Sequence, residues 1–133
     1  MSRTKQAGVL AALALAVIAV VAIPALAAGP GQTVKVKSEV TLGAGGYQGK
    51  VKAANSNCVG ERTVVLKQKG NGVLSRTKSK ANGNWQADLE ELNKNLKIPA
   101  KVFAEVKPST QATAGPIYKC GAAVSKTVEI AGG

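Results

Sequence analysis

The chain has 133 residues, with 18 Lys and Arg against 7 Asp and Glu, a formal net charge of +11 and no histidine. The lack of histidine excludes Ser-His-Asp and Cys-His catalytic arrangements, and two cysteines alone are too few for a zinc site. The acidic residues are scattered along the sequence, so we assign no catalytic residue, no cofactor site and no metal site, and we predict that the protein is not an enzyme.

The N-terminus has the pattern of a secretory signal peptide. Arg3 and Lys5 precede a long run of Ala, Val, Leu and Ile, and an Ala-Leu-Ala motif that signal peptidase can recognise ends at Ala27. We therefore predict a helical signal peptide over residues 1–27, cleaved after Ala27, with Ala28 as the alternative position. The competing interpretation is an uncleaved anchor, because the apolar run approaches the roughly 20 residues that span a bilayer.

The remaining chain is long enough for one domain and too short for two. We divide it into an N-terminal segment that carries the first strand, residues 28–45, and a β-sandwich domain, residues 46–131. This mature chain keeps sixteen basic and seven acidic residues, so its formal charge is +9. Such a charge attracts the protein to anionic envelope components.

Cys58 and Cys120 are the only cysteines, and both follow the signal peptide. An exported chain enters an oxidising compartment, where a single pair of cysteines is expected to form a structural disulfide. The alternative, a redox pair, is not favoured because the chain has no Cys-x-x-Cys motif.

Alternating apolar and polar residues indicate strands along the mature chain, as where Val34 and Val36 alternate with Lys35 and Lys37. Turn signals separate these strands, most clearly at Lys69-Gly70-Asn71-Gly72. About seven short strands in a chain of this size predict one antiparallel two-sheet sandwich. The predicted strands are 33–42, 47–53, 62–69, 73–79, 84–89, 99–107 and one or more within 117–130.

Three segments depart from this pattern. Leu89, Leu92 and Leu96 have helical spacing, and Asp88 could cap a short helix that runs to Leu96. Residues 108–116 are predicted to be a loop. Lys126 breaks the alternation of the closing region, which predicts a bulge or two shorter strands there.

The pairs of basic residues at alternate positions are predicted to mark the solvent side of strands, with a functional basic face as the alternative. Trp85, Ala87 and Leu89 are predicted to share a core-facing side. Because the few aromatic residues do not form a stacking motif, no specific nucleic-acid partner is predicted.

Three runs carry a resemblance to a known family: residues 58–66, with Cys58 ahead of Arg-Thr-Val-Val-Leu; residues 78–85, which end in Asn-Gly-Asn-Trp; and residues 100–106, Ala-Lys-Val-Phe-Ala-Glu-Val. They resemble the transthyretin-like or carboxypeptidase-regulatory-like domains of secreted bacterial proteins, over roughly residues 47–130. The resemblance implies a seven-stranded Ig-like or prealbumin-like sandwich in which the disulfide ties an early strand to the closing region. Lys80 stands where the family pattern usually has Asp, and Phe103 stands where Tyr is common. The resemblance therefore implies no cation site, and the family has no single activity.

Two functions follow as hypotheses. The first is a secreted, non-enzymatic Ig-like module with a structural, adhesive or protein-interaction role at the bacterial cell envelope. Its partners would be anionic envelope components or another protein, with no membrane association after signal cleavage. The alternative is an extracytoplasmic carrier or inhibitor that binds a small or anionic ligand. An exposed apolar patch around Phe103 would favour the first hypothesis, and a closed concave pocket would favour the second.

Overall fold

The computed structural model describes residues 29–131, and about half of this part of the chain is β-strand. It contains eleven strands, one α-helix and one 3₁₀ turn, arranged around three sheets. The predicted signal peptide, residues 1–27, and both predicted cleavage positions, Ala27 and Ala28, lie outside the described residues. Within residues 29–131, no helix combines the length and apolar character needed to cross a membrane.

The side sheet has the order β1-β9-β8 and contains β1 (Thr33–Val36), β8 (Ser109–Ala112) and β9 (Ile117–Cys120). The small sheet has the order β2-β3-β6 and contains β2 (Ser38–Leu42), β3 (Gln48–Ala53) and β6 (Asn84–Gln86). The large sheet has the order β10-β7-β4-β5, with β11 also paired to β7, and contains β4 (Thr63–Gln68), β5 (Gly72–Lys78), β7 (Ala100–Val106), β10 (Ala123–Val124) and β11 (Val128–Ile130).

The large and small sheets are antiparallel and share one apolar core, which confirms the predicted all-β class. Strand β7 shows why the alternation predicts this arrangement. Val102, Ala104 and Val106 are fully buried, while Lys101 between the core-facing positions is exposed. The small sheet contributes Val51 and other residues to the same cluster. Burying one face of each sheet against the other is the main apolar contribution to the stability of such a fold.

The side sheet differs from the other two because β1 and β9 run parallel, with Thr33 opposite Ile117 and Val36 opposite Cys120. Its core is a second, smaller cluster built on Val36 and the two cysteines. The prediction of one antiparallel two-sheet sandwich is therefore wrong for this part of the fold, where a third sheet is present and contains a parallel pair. Strand patterns carry no information about which distant strand becomes the neighbour.

The predicted strand 33–42 is two strands, β1 and β2, with Lys37 between them. The break occurs because the chain changes sheets at this point: β1 pairs with β9, whereas β2 pairs with β3. The alternation of residues continues through the break, so the sequence pattern alone could not locate it. Both strands lie in the predicted N-terminal segment, residues 28–45.

The closing region, residues 117–130, forms three strands, and Lys126 lies between β10 and β11. The prediction of shorter strands around Lys126 is confirmed. Ser125 follows β10 directly. Its backbone N–H donates to the carbonyl of Ala104, and its hydroxyl accepts from the Ala104 N–H. Residue 125 thus completes the pairing with β7 through its side chain.

The prediction of a loop over residues 108–116 is wrong at its start, because Ser109–Ala112 forms β8 and pairs antiparallel with β9. The residues of this strand are polar or small, and two of the four are exposed. Its pairing comes from backbone hydrogen bonds, so it leaves no apolar pattern in the sequence. With one break between β1 and β2 and two breaks within the closing region, β8 raises the count in residues 29–131 from about seven strands to eleven.

The short helix is confirmed as α1 (Leu89–Asn95). Asp88 is its N-cap, and its carboxylate accepts from the backbone N–H groups of Glu90 and Glu91. Leu92 is buried, as the helical spacing predicts. The prediction that Leu89 continues the core side of β6 is wrong: Leu89 begins the helix and is 45% exposed.

Candidate functional site

The predicted disulfide between Cys58 and Cys120 is present, with 5.5 Å between the two Cα atoms. It joins the 3₁₀ turn Ser56–Cys58 to the end of β9, and both residues are buried. Val36 packs against the pair. The bond therefore ties the side sheet to the segment that leads into β4, and no free cysteine occurs in residues 29–131.

Arg62 is fully buried directly beside this disulfide. Its Nη1 donates to the Cys58 carbonyl at 2.7 Å and to Ser38 Oγ at 2.9 Å. Its Nη2 donates to the carbonyls of Lys107 and Gly121, both at 2.8 Å. One guanidinium therefore connects the start of β2, the 3₁₀ turn, the end of β7 and the end of the side sheet.

The charge of Arg62 has no acidic partner within residues 29–131. All four oxygen atoms that accept from its Nη groups belong to carbonyls or a hydroxyl, and its Nε has no hydrogen-bond partner among the described residues. Burial lowers the pKa of Arg62, yet a guanidinium stays protonated in proteins. The site therefore holds a buried positive charge that the protein solvates with backbone dipoles instead of neutralising.

Arg62 was not among the residues predicted to form a functional site. Its position nevertheless indicates an inward-pointing side chain. Arg62, Val64 and Leu66 occupy alternate positions of the predicted strand 62–69, so their side chains lie on the same face. An inward arginine must find hydrogen-bond acceptors, and here they are supplied by four separate segments.

An open groove lies beside the disulfide, and we name it the lysine groove. It has a volume of about 730 Å³ and a predominantly apolar lining. Three exposed lysines, Lys35, Lys37 and Lys119, belong to the lining. The other lining residues are Val36, Ser38, Pro108, Cys120, Gly121 and Ala122.

The electrostatics of the lysine groove are one-sided. Lys35 on β1 lies directly opposite Lys119 on β9, and a like-charge pair at such positions is unfavourable. None of the strands of the side sheet contains an acidic residue. Two lining residues, Ser38 and Gly121, accept hydrogen bonds from Arg62, so the buried guanidinium lies immediately behind the lining.

The region around Phe103 has a different character. Phe103 is half-buried on the outer face of the large sheet, opposite Lys67. The Lys67 ammonium lies 2.6 Å from the Glu105 carboxylate, and Lys107 lies 3.4 Å from the same oxygen. The hydrogen bond from Lys67, followed by smaller contributions from Lys107, lowers the pKa of Glu105. Val124, 61% exposed, pairs with Glu105 from β10. Charged and apolar groups alternate here, so there is no continuous apolar patch.

The predicted solvent side of the strands is confirmed for most basic residues. Lys67 is the exception, because its ion pair with Glu105 holds it half-buried. Trp85 is 2% exposed, as predicted for a core residue. The exposed members of the predicted basic pairs and triplet are Lys35, Lys37, Lys50, Lys52, Lys69, Arg76, Lys78 and Lys80.

Within residues 29–131, no group of three or more His, Cys, Asp or Glu side chains is placed to hold a metal ion. Comparison of the chain with protein-family models, with curated proteins and with solved structures finds no match in any of the three.

Proposed function

We propose that the protein is an extracytoplasmic, non-enzymatic module of the Ig-like sandwich type that adheres to anionic components of the bacterial cell envelope. One observation carries the proposal: nearly all of its positive charge is exposed and uncompensated. Of the sixteen basic side chains in residues 29–131, Arg62 is buried, and Lys67 and Lys107 pair with Glu105. The other thirteen have no carboxylate within 4.0 Å in this part of the chain.

Placement outside the cytoplasm is supported by two independent features. The disulfide between Cys58 and Cys120 is typical of proteins that fold in oxidising compartments. The N-terminal sequence has the three-part pattern of a signal peptide that ends at Ala27. The packing of two antiparallel sheets over one core supports an Ig-like sandwich.

The adhesive role is tested by binding the mature chain to a soluble anionic polymer, dextran sulfate, at increasing salt concentration. Neutral dextran is the matched control. We expect binding only to the sulfated polymer, with a steep loss toward 1 M salt, because the Debye length falls from about 10 Å at 0.1 M to about 3 Å at 1 M. No binding to dextran sulfate at low salt would contradict the proposed adhesion.

The location is tested separately by the intact mass of the exported protein. We expect a chain that starts at Ala28 or Gly29, since signal peptidase requires the small residues that precede this point. Recovery of a membrane-embedded chain that still carries Met1 or Ser2 would contradict cleavage and support an N-terminal anchor.

A carrier is the second candidate, and the lysine groove is the observation that favours it. Its volume of about 730 Å³ falls within the range of small-molecule sites, roughly 300–1,000 Å³. The groove is open, whereas the carrier hypothesis expected a closed pocket. The two functions are compatible if the groove selects one kind of anion from the envelope.

A further inference from the structure

We propose that the lysine groove binds an amphiphilic anion, an alkyl phosphate in which one acidic head is joined to a short apolar tail. The proposal rests on the proposed function, because it narrows the anionic partners of the envelope to one ligand class at one place. The head would lie among Lys35, Lys37 and Lys119, and the tail would lie along the apolar lining between Val36 and Ala122.

The uncompensated positive charges around the groove favour an anionic ligand. Lys35 and Lys119 face each other across two paired strands, and Lys37 lies in the same lining without an acidic neighbour there. An anion placed among them would remove a repulsion that the free protein retains, and that relief adds to the attraction. Two other depressions each have two exposed lysines in their lining, Lys50 with Lys80 and Lys69 with Lys101, whereas the lysine groove has three.

Arg62 provides a second, independent argument. Its guanidinium is buried behind Ser38 and Gly121, and no carboxylate of residues 29–131 pairs with it. Water screens a buried charge less than it screens an exposed one, so Arg62 contributes a fixed positive potential on the groove side. Its Nε also has no hydrogen-bond partner among the described residues.

The lining explains why the ligand should have an apolar part. The Gly121 N–H donates to the Val36 carbonyl, and the Gly121 carbonyl accepts from Arg62. Ser38 Oγ accepts from the same guanidinium. Because these polar atoms already have partners within the protein, the rest of the lining offers mainly apolar surface from Pro108 and Ala122. Hydrocarbon gains free energy there by leaving water.

The experiment is an NMR titration of the uniformly ¹⁵N-labelled mature chain with decyl phosphate below its micelle concentration. We expect saturable shifts of the backbone amides of Val36, Gly121 and Ala122. Inorganic phosphate tests the head alone, and decyl maltoside tests the tail alone. Each should bind at least tenfold more weakly than decyl phosphate, since each lacks one of the two contacts.

Two triple variants with equal loss of charge localise the effect. The groove variant is Lys35→Gln/Lys37→Gln/Lys119→Gln. The matched control is Lys50→Gln/Lys52→Gln/Lys78→Gln, which removes exposed strand lysines outside the groove. We expect about tenfold weaker binding of decyl phosphate in the groove variant and less than a twofold change in the control.

A single variant, Ala122→Glu, provides a further test that does not rely on removing lysines. Ala122 is exposed, so the folded state should tolerate the change. The new carboxylate would repel the ligand head and pair with the lysines, and decyl phosphate binding should be lost. Retained affinity in a folded Ala122→Glu protein would overturn the proposed site.

Dextran sulfate binding separates this proposal from the adhesion proposal. Both triple variants should lose polymer affinity equally, because generic adhesion depends on net charge. Equal decyl phosphate affinity in the two triples, or equal affinity of wild type for decyl phosphate and inorganic phosphate, would overturn the groove proposal while adhesion stands. If both triple variants bound dextran sulfate as tightly as wild type, the adhesion proposal would be overturned. The groove proposal would then be decided by the decyl phosphate titration alone.

Discussion

At the scale of single residues, Arg62 makes more side-chain hydrogen bonds than any other described residue. Its planar guanidinium holds together four chain segments, and no carboxylate in the described part of the chain compensates its charge. A buried charge of this kind is costly unless its hydrogen bonds are made. The four hydrogen bonds from Nη1 and Nη2 offset that cost, so their loss should lower the free energy of unfolding.

We expect Arg62→Met to lower the free energy of unfolding by about 3 kcal/mol or more, because it leaves buried acceptors without donors. Arg62→Lys should also cost roughly 2 kcal/mol, since an ammonium cannot reproduce the forked geometry. Urea unfolding of both variants measures these changes.

The matched control is Arg76→Met, which removes an exposed arginine from β5. Its stability should stay within about 0.5 kcal/mol of wild type. If Arg62→Met were as stable as Arg76→Met, the guanidinium would have no structural role.

Gly49 is a second residue on which neighbours depend. It lies opposite Trp85 in the pairing of β3 with β6, and the Trp85 indole donates to the Thr41 carbonyl on β2 at 3.2 Å. A Cβ at position 49 would collide with that carbonyl oxygen. The absent side chain therefore lets the indole reach across one strand to the next.

We expect Gly49→Ala to lower the free energy of unfolding by about 2 kcal/mol, because the small sheet must deform to admit the methyl group. The near-ultraviolet circular dichroism of Trp85 should change as well. Gly115→Ala is the control, since its nearest neighbour to a new Cβ would be Thr113 Oγ1 at 3.8 Å. A Gly49→Ala protein with wild-type stability and spectrum would contradict this account.

At the scale of elements, the sequence predicts the strands and the helix whose burial pattern and caps are encoded in their own residues. Strand β7 alternates fully, and α1 carries both its cap and its buried Leu92, so both were predictable. The break between β1 and β2 and the polar strand β8 were not, because each depends on a partner strand elsewhere. At the site, the cysteine pair and the exposed lysines were predictable from the sequence. The groove that they line was not, because it forms only when β1 pairs with β9.

The pairing of β4 with β7 also gives one pH-dependent contact. The ion pair with Lys67 lowers the folded-state pKa of Glu105 below its unfolded value. The contact therefore contributes its full stability above the usual glutamate pKa of about 4.3, and the contribution is lost as pH falls through the lowered value.

We expect the wild-type protein to lose about 0.5–1 kcal/mol more stability than Glu105→Gln when the pH falls from about 6 to about 3. Urea unfolding at the two pH values measures the difference. Glu129→Gln, which removes a glutamate without an ion pair in the described chain, should retain the wild-type difference. Equal pH dependence in wild type and Glu105→Gln would contradict the assignment.

At the scale of the whole molecule, the disulfide lies within the smaller of two cores and ties the side sheet to the segment that leads into β4. The larger core lies between the large and small sheets, and the smaller one lies under the side sheet around Val36. Cys58 and Cys120 are separated by 62 positions, so their bond closes most of the described chain into a loop. The bond also fixes one edge of the lysine groove, because Cys120 belongs to its lining.

We expect Cys58→Ser/Cys120→Ser to lower the free energy of unfolding by on the order of 4 kcal/mol, from the loop-closure entropy returned to the unfolded chain. Denaturant unfolding measures the change. Decyl phosphate binding should weaken in the same variant at low denaturant, as the side sheet loosens. A double variant as stable as wild type would show that Arg62 and the strand pairing hold the side sheet without the covalent bond.

The parallel pairing of β1 with β9 has a consequence for the order in which the molecule folds. Thr33, near the start of the described chain, has its strand partner at Ile117, so β1 cannot be completed until nearly all of the chain is available. Pairings between residues so distant in sequence raise the contact order and slow folding. The antiparallel hairpin of β4 and β5, by contrast, can form locally. In a chain built this way β1 is expected to join the fold late, which would suit the export that we propose for this protein.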